Sequence, residues 1–295
     1  MPKPYQPLRL DLRKTYKLFI NGEFVRSESG RSDAIGQAPD DVANVARASR
    51  KDLRSAVDAA RVAFPQWSGL SPLARGQALY QIAEAIDARR QQFALRIRQA
   101  SKADDALSMR EVGAATDRTL WYAGWCDKYA ALVSSRNPVA GPFFSSSAPE
   151  PMGVVGVVAP DEPALLGLVS SLVPPLVSGN TVVVVASEID PRTAVELAEC
   201  FSGCDLLPGT INLLTGKRIE LAPALARHLD VDALDAHGLD PPFAAELERL
   251  GTDNLKRIRA LPALATSAWF AESAQDLTNV SALTELKTIW HPVGA

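Results

Sequence analysis

Two pairs of polar residues each follow a short apolar run in the middle of the chain. Asp161 and Glu162 come directly after GVVGVVAP, and Ser187 and Glu188 come directly after TVVVVA. Adjacent carboxylates can bind a divalent cation, but no third ligand is evident and the three histidines are scattered, so we predict no metal site. Asp161 followed by Glu162 and Pro163 also has the residue types of a helix N-terminus. We predict that Asp161 caps a helix.

Cysteine thiolates are the other candidates for chemistry, because the thiolate is the nucleophilic form of the side chain. The chain has three cysteines: Cys126 in an early helical region, and Cys200 and Cys204 near the end of a later one. An odd number in a large chain favours reduced thiols over disulfides. We predict that all three are small buried side chains without a catalytic role.

The polar pairs are predicted to lie at one edge of a parallel β-sheet. Short runs rich in Val, Ile and Leu recur after residue 153, with helix-like stretches between them. Nearly all-apolar strands that alternate with helices indicate an α/β fold whose parallel sheet is covered on both faces. Ligands of such sheets bind outside the carboxyl ends of the strands. The runs are VVGVVA, TVVVVA, GTINLL and DVDALD, and the helical stretches are 164–178, 191–203 and 217–227.

The N-terminal part is predicted to hold a hairpin and then helices. YKLFINGEFV at 16–25 alternates in polarity around Asn21 and Gly22, which both tolerate the positive φ of a tight turn. Apolar residues at helical spacing then predict that 51–136 is mostly helical.

The C-terminal part is less regular. Residues 246–261 read as a helix followed by a strand, and 262–280 show no clear period. LTELKTIW at 283–290 alternates and ends before Pro292, which predicts a terminal edge strand.

Composition excludes several classes of function. The chain has 295 residues, a formal net charge of -3 and 47% hydrophobic residues, the profile of a globular protein with about two domain-sized units. The slight acidity gives no reason to expect nucleic acid or a membrane as a partner. The most apolar stretch, 153–186, is broken by acids and prolines and is not expected to span a membrane. Residues 1–14 hold no apolar signal region, so a cytoplasmic location is expected.

Seven segments carry a more specific signal than any single motif. In chain order they are YKLFINGEFV, PEPMGVVGVVAP, SGNTVVVVASE, LPGTINLLTG, HLDVDAL, NLKR and LTELKTIW. Together they resemble the aldehyde dehydrogenase superfamily over residues 16–261 and again over 283–290.

The resemblance implies a fold of three parts. A Rossmann-like domain for NAD(P) is expected over 1–136 and 152–261, and a small β-element that joins subunits is expected over 137–151 and 281–295. The family's third part, a catalytic domain with the nucleophilic cysteine, is expected to be almost wholly missing. Only the short stretch 262–280 stands in its place.

The resemblance also implies that this chain has no catalytic residue. The family's nucleophilic cysteine belongs to the domain that is missing here. Its oxyanion-binding Asn corresponds to Glu162, with Asp161 in place of the neighbouring Trp, and a carboxylate repels a developing oxyanion. Its general-base Glu corresponds to Leu261, which has no basic group. Lys256 and Arg257 of the NLKR segment are expected to be solvent-exposed.

The cofactor site implied by the resemblance is eroded. Val185 stands where the family has a Lys that contacts the adenosine ribose or phosphate. Ser187, Glu188 and Gly238 match the family and are the vestigial cofactor-binding residues, with Glu188 placed to accept from a ribose hydroxyl. Asp240 adds negative charge where the family's glycine-rich turn holds the pyrophosphate. We therefore expect that no cofactor binds. If one does bind, we expect it to be NAD(P).

These observations lead to one preferred function and two alternatives. The preferred function is a non-catalytic, pseudoenzyme-like subunit that assembles as a homo-oligomer, or as a hetero-oligomer with a full-length aldehyde dehydrogenase, and stabilises or regulates it. A partner subunit is also expected to cover the part of the sheet left bare by the missing domain. The alternatives are a divergent NAD(P)-dependent aldehyde oxidoreductase and a nucleotide-binding sensor that uses Glu188 and Gly238.

Overall fold

The computed structural model describes residues 14–36, 41–101 and 103–293. Most of the N-terminal stretch that was expected to lack a signal region lies outside the described residues. In the part that is described, no helix is long and apolar enough to cross a membrane.

The described residues form strands and helices that alternate regularly after residue 153. The strands are β1 (Thr15–Tyr16), β2 (Leu18–Ile20), β3 (Glu23–Val25), β4 (Ser32–Ile35), β5 (Ala43–Ala46), β6 (Ser135–Asn137), β7 (Phe143–Pro151), β8 (Val154–Val158), β9 (Thr181–Val185), β10 (Ile211–Leu214), β11 (Ala233–His237), β12 (Arg257–Leu261) and β13 (Thr284–Pro292). The helices are α1 (Arg50–Gly69), α2 (Pro72–Ala88), α3 (Arg90–Ser101), α4 (Asp105–Ala123), α5 (Tyr129–Val133), α6 (Leu166–Val177), α7 (Arg192–Phe201), α8 (Arg218–Arg227), α9 (Pro241–Leu250), α10 (Thr266–Trp269) and α11 (Thr278–Ser281).

Seven strands form the central sheet in the order β12-β11-β8-β9-β10-β2-β3. The first five run parallel, and the β2–β3 hairpin is added antiparallel at the β10 edge. Helices α2, α3, α4, α6 and α7 pack on one face, while α1, α8 and α9 pack on the other. The predicted α/β fold with a Rossmann-like parallel sheet is confirmed.

Burial on both faces explains the composition of the central strands. Every residue of β8 and β9 is buried, so nearly all of their side chains are apolar. Val155 and Val157 pack into one core and Val154 and Val158 into the other, because successive side chains of a strand point to opposite faces. The absence of a side chain at Gly156 leaves room for the Leu234 side chain of the neighbouring strand β11. A Cβ at this position would lie 3.0 Å from a methyl group of Leu234.

The hairpin near the N-terminus has the turn that its sequence predicts. Asn21 and Gly22 connect β2 to β3 with φ angles of 53° and 80°. An Asn-Gly pair adopts such angles at little cost, and the resulting turn matches the twist of the two strands. The prediction of a hairpin is confirmed.

Two small sheets flank the central one. One has the order β1-β5-β4 and the other has the order β13-β7-β6. β13 pairs antiparallel with β7 along its whole length, from Thr284 opposite Pro151 to Pro292 opposite Phe143. Among the described residues β13 has a neighbour on one side only, so the predicted terminal edge strand is confirmed.

The segment between β12 and β13 folds back onto the main core. Trp269, Val280 and Leu283 are buried in the same core as α4 and α6. Arg118 of α4 is buried beneath the segment and donates to its backbone at the carbonyl oxygens of Trp269 (2.8 Å) and Ala274 (3.1 Å). The segment between β12 and β13 therefore covers this part of the core from within the chain.

Lys256 and Arg257 are not solvent-exposed, so that prediction is wrong. Lys256 is buried, and its ammonium group donates to the carbonyl oxygens of His228 (2.8 Å) and Val231. Arg257 is half-buried and donates to the carbonyl oxygen of Thr284 at 2.6 Å. Both side chains pair with backbone carbonyls of distant segments, which local sequence cannot indicate.

Candidate functional site

The carboxyl ends of the parallel strands meet at one edge of the sheet, where an open α/β sheet binds its ligands. The turn after β8 holds Asp161, the turn after β9 holds Ser187 and Glu188, and Arg218 begins α8 after β10. These four residues are joined by hydrogen bonds. We call them the strand-end cluster.

Asp161 is the centre of the strand-end cluster. Its Oδ1 atom accepts from the Ser187 hydroxyl, the Glu188 backbone N–H and the Arg218 guanidinium, each at 2.9 Å. It does not cap the following helix, because α6 begins only at Leu166 and has no N-cap side-chain bond of its own. The predicted capping role of Asp161 is therefore wrong.

Glu111 of α4 takes the capping role instead. Its Oε1 atom accepts from the backbone N–H groups of Leu165 (2.8 Å) and Leu166 (3.3 Å), at the start of α6. Burial raises the pKa of Glu111, and the two N–H donors act against that rise. The sequence could not indicate this cap, because Glu111 lies 54 residues before Leu165.

Arg218 was not singled out from the sequence, although it closes the strand-end edge. Its Nη2 atom donates to the Ala159 carbonyl at 2.5 Å as well as to Asp161. Its backbone N–H donates to the Glu188 carboxylate, which also lies 3.4 Å from the Lys217 ammonium. In the sequence, the only indication of this role was the position of Lys217 and Arg218 directly after Thr215-Gly216 at the end of β10. The Oδ1 atom of Asp161 and the carboxylate of Glu188 are thus engaged within the chain.

Gly238 lies at the end of β11 with a φ of 71°, which favours glycine. It leads to the start of α9, where Pro241 and Pro242 have no N–H group to offer. The next two N–H groups are used locally, since Phe243 donates to the Asp240 carboxylate at 2.8 Å and Ala244 to the Asp240 carbonyl. A helix N-terminus attracts anions through free N–H groups, and the first turn of α9 has none.

The position that the resemblance assigned to a general base is apolar. Leu261 ends β12 and pairs with His237 at the end of β11. His237 lies 3.2 Å from Asp235 and packs against the Trp269 ring, with ring centroids 5.7 Å apart. Glu162, at the position of the oxyanion Asn, is exposed to solvent.

The three cysteines lie away from the strand-end edge. Cys126 follows α4, and Cys200 and Cys204 lie where α7 leads toward the amino end of β10. Burial raises the pKa of Cys126 to about 12 and the pKa values of Cys200 and Cys204 to about 11. All three are free thiols, two buried and Cys204 half-buried. Each is therefore almost wholly protonated at neutral pH and is a poor nucleophile.

Ligands for a metal ion do not come together in the described ranges. No group of three or more His, Cys, Asp and Glu side chains is placed to hold a cation there. The Asp161 carboxylate is instead paired with the Arg218 guanidinium.

The covered parallel sheet, with its polar residues gathered at the carboxyl ends of the strands, places the chain in the Rossmann-like class. Residues 24–278 match the aldehyde dehydrogenase family. The chain belongs to the aldehyde dehydrogenase family.

Curated relatives match most of this chain but only part of their own. Aldehyde dehydrogenase, cytosolic 1 of Elephantulus edwardii is 31% identical over 248 residues, which is 82% of this chain and 49% of that protein. Human aldehyde dehydrogenase 1A1 is 30% identical over 258 residues, 85% of this chain and 51% of that one. The chain thus spans about half the length of the curated relatives it matches.

Solved structures give the same picture. An aldehyde dehydrogenase from Bacillus cereus, determined as an NAD+ complex, superposes with a TM-score of 0.79 at 26% identity, covering 84% of this chain and 51% of that one. HpcC from Thermus thermophilus gives a TM-score of 0.79 at 29% identity, covering 84% of this chain and 48% of that one.

Proposed function

We propose that this chain is a non-catalytic member of the aldehyde dehydrogenase family, which serves as a scaffold or regulatory subunit. It assembles with itself or with a complete aldehyde dehydrogenase and stabilises or regulates that partner. The observation that carries the proposal is the strand-end cluster, in which the Asp161 carboxylate is paired with the Arg218 guanidinium where a cofactor would bind.

The residues of the strand-end edge do not fit a dinucleotide. Glu188 is the acceptor expected for a ribose hydroxyl, and its carboxylate already accepts from Arg218 and faces Lys217. The start of α9 has no free N–H group for a pyrophosphate, as its first two residues are prolines. A phosphate at the start of α9 would need a hydrogen-bond donor. It would instead lie against the negatively charged Asp240 carboxylate, which already accepts from this turn.

Charge at this edge also opposes an anionic ligand. Five carboxylates lie in the turns after the parallel strands, against three cations in these turns or at the first residue of the next helix, so the local sum is five minus three, or two net negative charges. Like charges at such distances repel, and the repulsion is stronger where water is excluded. The acids are Asp161, Glu162, Glu188, Asp190 and Asp240, and the cations are Arg192, Lys217 and Arg218.

Titration calorimetry with NAD+, NADP+ and ATP tests this part of the proposal. We expect no saturable heat with any of the three. Saturable binding that is lost in Glu188→Gln would contradict the proposal and support a nucleotide sensor. NADH formation from an aldehyde that is lost on replacing one cysteine by Ser would support an oxidoreductase.

The small sheet β6-β7-β13 supports the assembly part of the proposal. β13 leaves one row of backbone groups unpaired along its outer side, which is a template for pairing with another chain. Leu286 and Trp290 are 65% and 59% exposed on one face, where the Trp290 ring lies 6.0 Å from that of Phe143. Ile289 and Phe144 lie exposed on the other face. Apolar groups on both faces and a free edge suit a surface covered by a partner.

Isolation of the complex from its native host, with its mass and components determined, tests assembly. We expect a complex larger than one chain, either of identical chains or with a complete aldehyde dehydrogenase. Leu286→Lys and Trp290→Lys should each release the partner, whereas the control Leu229→Lys, at an equally exposed leucine outside this sheet, should not. Recovery of a lone, well-folded monomer would refute the assembly.

A further inference from the structure

A shallow cup opens on the sheet β1-β5-β4, and none of its residues belongs to the strand-end cluster. Its volume is about 260 Å³. Three cationic side chains line it, from Lys17, Arg26 and Arg31, together with the polar side chains of Thr15, Ser32 and Asn44. The cup therefore combines three positive charges with short hydrogen-bonding groups.

The register of the strands explains why short polar groups form the floor. Asn44 of β5 lies opposite Thr15 of β1, and two residues farther along β5, Ala46 lies opposite Ser32 of β4. Residues at alternate positions and cross-strand partners share one face of a sheet. The intervening residues Tyr16 and Val45 point to the other face and are buried in the core. Short side chains therefore form the floor of the cup on the outward face of this sheet. The long cationic side chains lie around it.

The cations of the cup have no carboxylate partner among the described residues. Lys17 and Arg26 make no side-chain hydrogen bond or ion pair there, and the Arg31 guanidinium reaches only the Ser29 hydroxyl, at 3.3 Å. Other cations nearby are paired, as Arg47 is with Asp33 at 3.8 Å.

Two further acids near the cup, Glu28 and Asp52, are engaged in other bonds. Glu28 pairs with Lys51 at 3.4 Å and accepts from the Ser49 hydroxyl. Asp52 accepts from the Ser27 hydroxyl at 2.8 Å and from the Ser49 backbone at 2.8 Å. These bonds engage both carboxylates at the start of α1. Asp52 lies next to the cup through its bond to Ser27, which lines it, but within the described ranges no carboxylate pairs with Lys17, Arg26 or Arg31.

We propose that the cup of Lys17, Arg26 and Arg31 binds the phosphate group of a small ligand. Arginine forks match the oxygens of a phosphate, and lysine adds a point charge. A phosphate monoester carries about -1.5 to -2 charge at pH 7, which three cations more than neutralise. The volume is below the range of about 300–1,000 Å³ that drug-sized ligands occupy, so the cup suits one phosphate or a pyrophosphate.

Calorimetric titration of the whole chain with inorganic phosphate and with pyrophosphate, at fixed ionic strength against chloride, tests the proposal. We expect saturable binding of one ion per chain. The double variant Arg26→Ala/Arg31→Ala should weaken binding by about a hundredfold, since each lost charged hydrogen bond costs about tenfold. Lys17→Ala should weaken it in the same direction.

A charge-matched control separates a site from general attraction. The double variant Arg227→Ala/Arg249→Ala removes two exposed arginines, on α8 and α9, and should bind phosphate as the unmodified chain does. Circular dichroism on each variant verifies that it is folded. Equal weakening in both double variants, or no saturation in the unmodified chain, would overturn the proposal. Because none of these residues touches the strand-end cluster, either result leaves the proposed function standing.

Discussion

Arg118 is the residue on which the segment between β12 and β13 depends. It is buried, and it is bonded through its guanidinium to Ser170, Trp269, Ala274 and Gln275, at 2.8 to 3.3 Å. We consider Arg118→Met, which keeps an apolar stem of similar length and removes every donor. The segment should then lose its attachment to α4.

The size of the effect follows from the groups that are left behind. The carbonyl oxygens of Trp269 and Ala274 lose their Arg118 donor, at about 1–3 kcal/mol for each buried polar group left unsatisfied. Burial lowers the pKa of the Arg118 guanidinium, which shows that a charged group is costly at this site. Removing that charge offsets part of the loss. We therefore expect a net destabilisation of the segment of about 3 kcal/mol.

Hydrogen exchange measures this directly. About 3 kcal/mol corresponds to about a hundredfold faster exchange of protected amides, and it should be confined to residues 262–283. Amides of β8 and β9 should exchange at unchanged rates, because their core contacts remain. Arg249→Met, at an exposed arginine of α9, is the matched control and should alter neither region.

One result would refute this reasoning. If Arg118→Met left exchange in 262–283 unchanged, the buried apolar side chains of Trp269, Val280 and Leu283 would hold the segment alone. If exchange rose across the whole chain instead, the segment would not be a separate unit of stability.

Three further predictions test other parts of the structure. Burial lowers the pKa of Lys256 from 10.5 to about 8, so between those values the unfolded chain holds a proton that the folded chain has lost. The free energy of unfolding should therefore rise by about 3 kcal/mol as the pH increases across that window. Urea unfolding of Lys256→Met should show no such rise. An equal pH dependence in the variant and the unmodified chain would contradict the prediction. With thiol pKa values of about 11 to 12, iodoacetamide at pH 7.5 should label the native cysteines slowly and the denatured ones at the normal rate, and rapid labelling of one native thiol would argue for an activated nucleophile. Asn180→Ala removes buried bonds to the Gly153 N–H and to the Pro175 and Leu283 carbonyls, so it should cost about 2–4 kcal/mol in urea unfolding, and a loss under about 0.5 kcal/mol, usual for a surface change, would contradict that role.

Short-range pattern in the sequence predicts the scaffold well. The runs VVGVVA and TVVVVA are buried on both faces, so their composition alone indicates central parallel strands. Asn21-Gly22 predicts its turn, because the φ angles that the turn requires are a property of those two residue types. LTELKTIW predicts an edge strand, since its alternating polarity indicates a strand and the nearby Pro292 suits an edge position.

Contacts between distant residues decide the rest. Asp161 is a residue type that often caps helices. In the structure, however, Glu111 of another helix caps α6, and the Asp161 carboxylate pairs with Arg218. Residues 262–280 show no period because their helices α10 and α11 have only four residues each, too few to display a helical repeat. Trp269 and Val280 are buried in the main core by contacts with distant residues. The sequence by itself determined the strands, the turn and the family, since these depend on neighbouring residues. Only the tertiary structure decided which charges meet at the strand ends, because such pairs depend on distances that the folded chain alone defines.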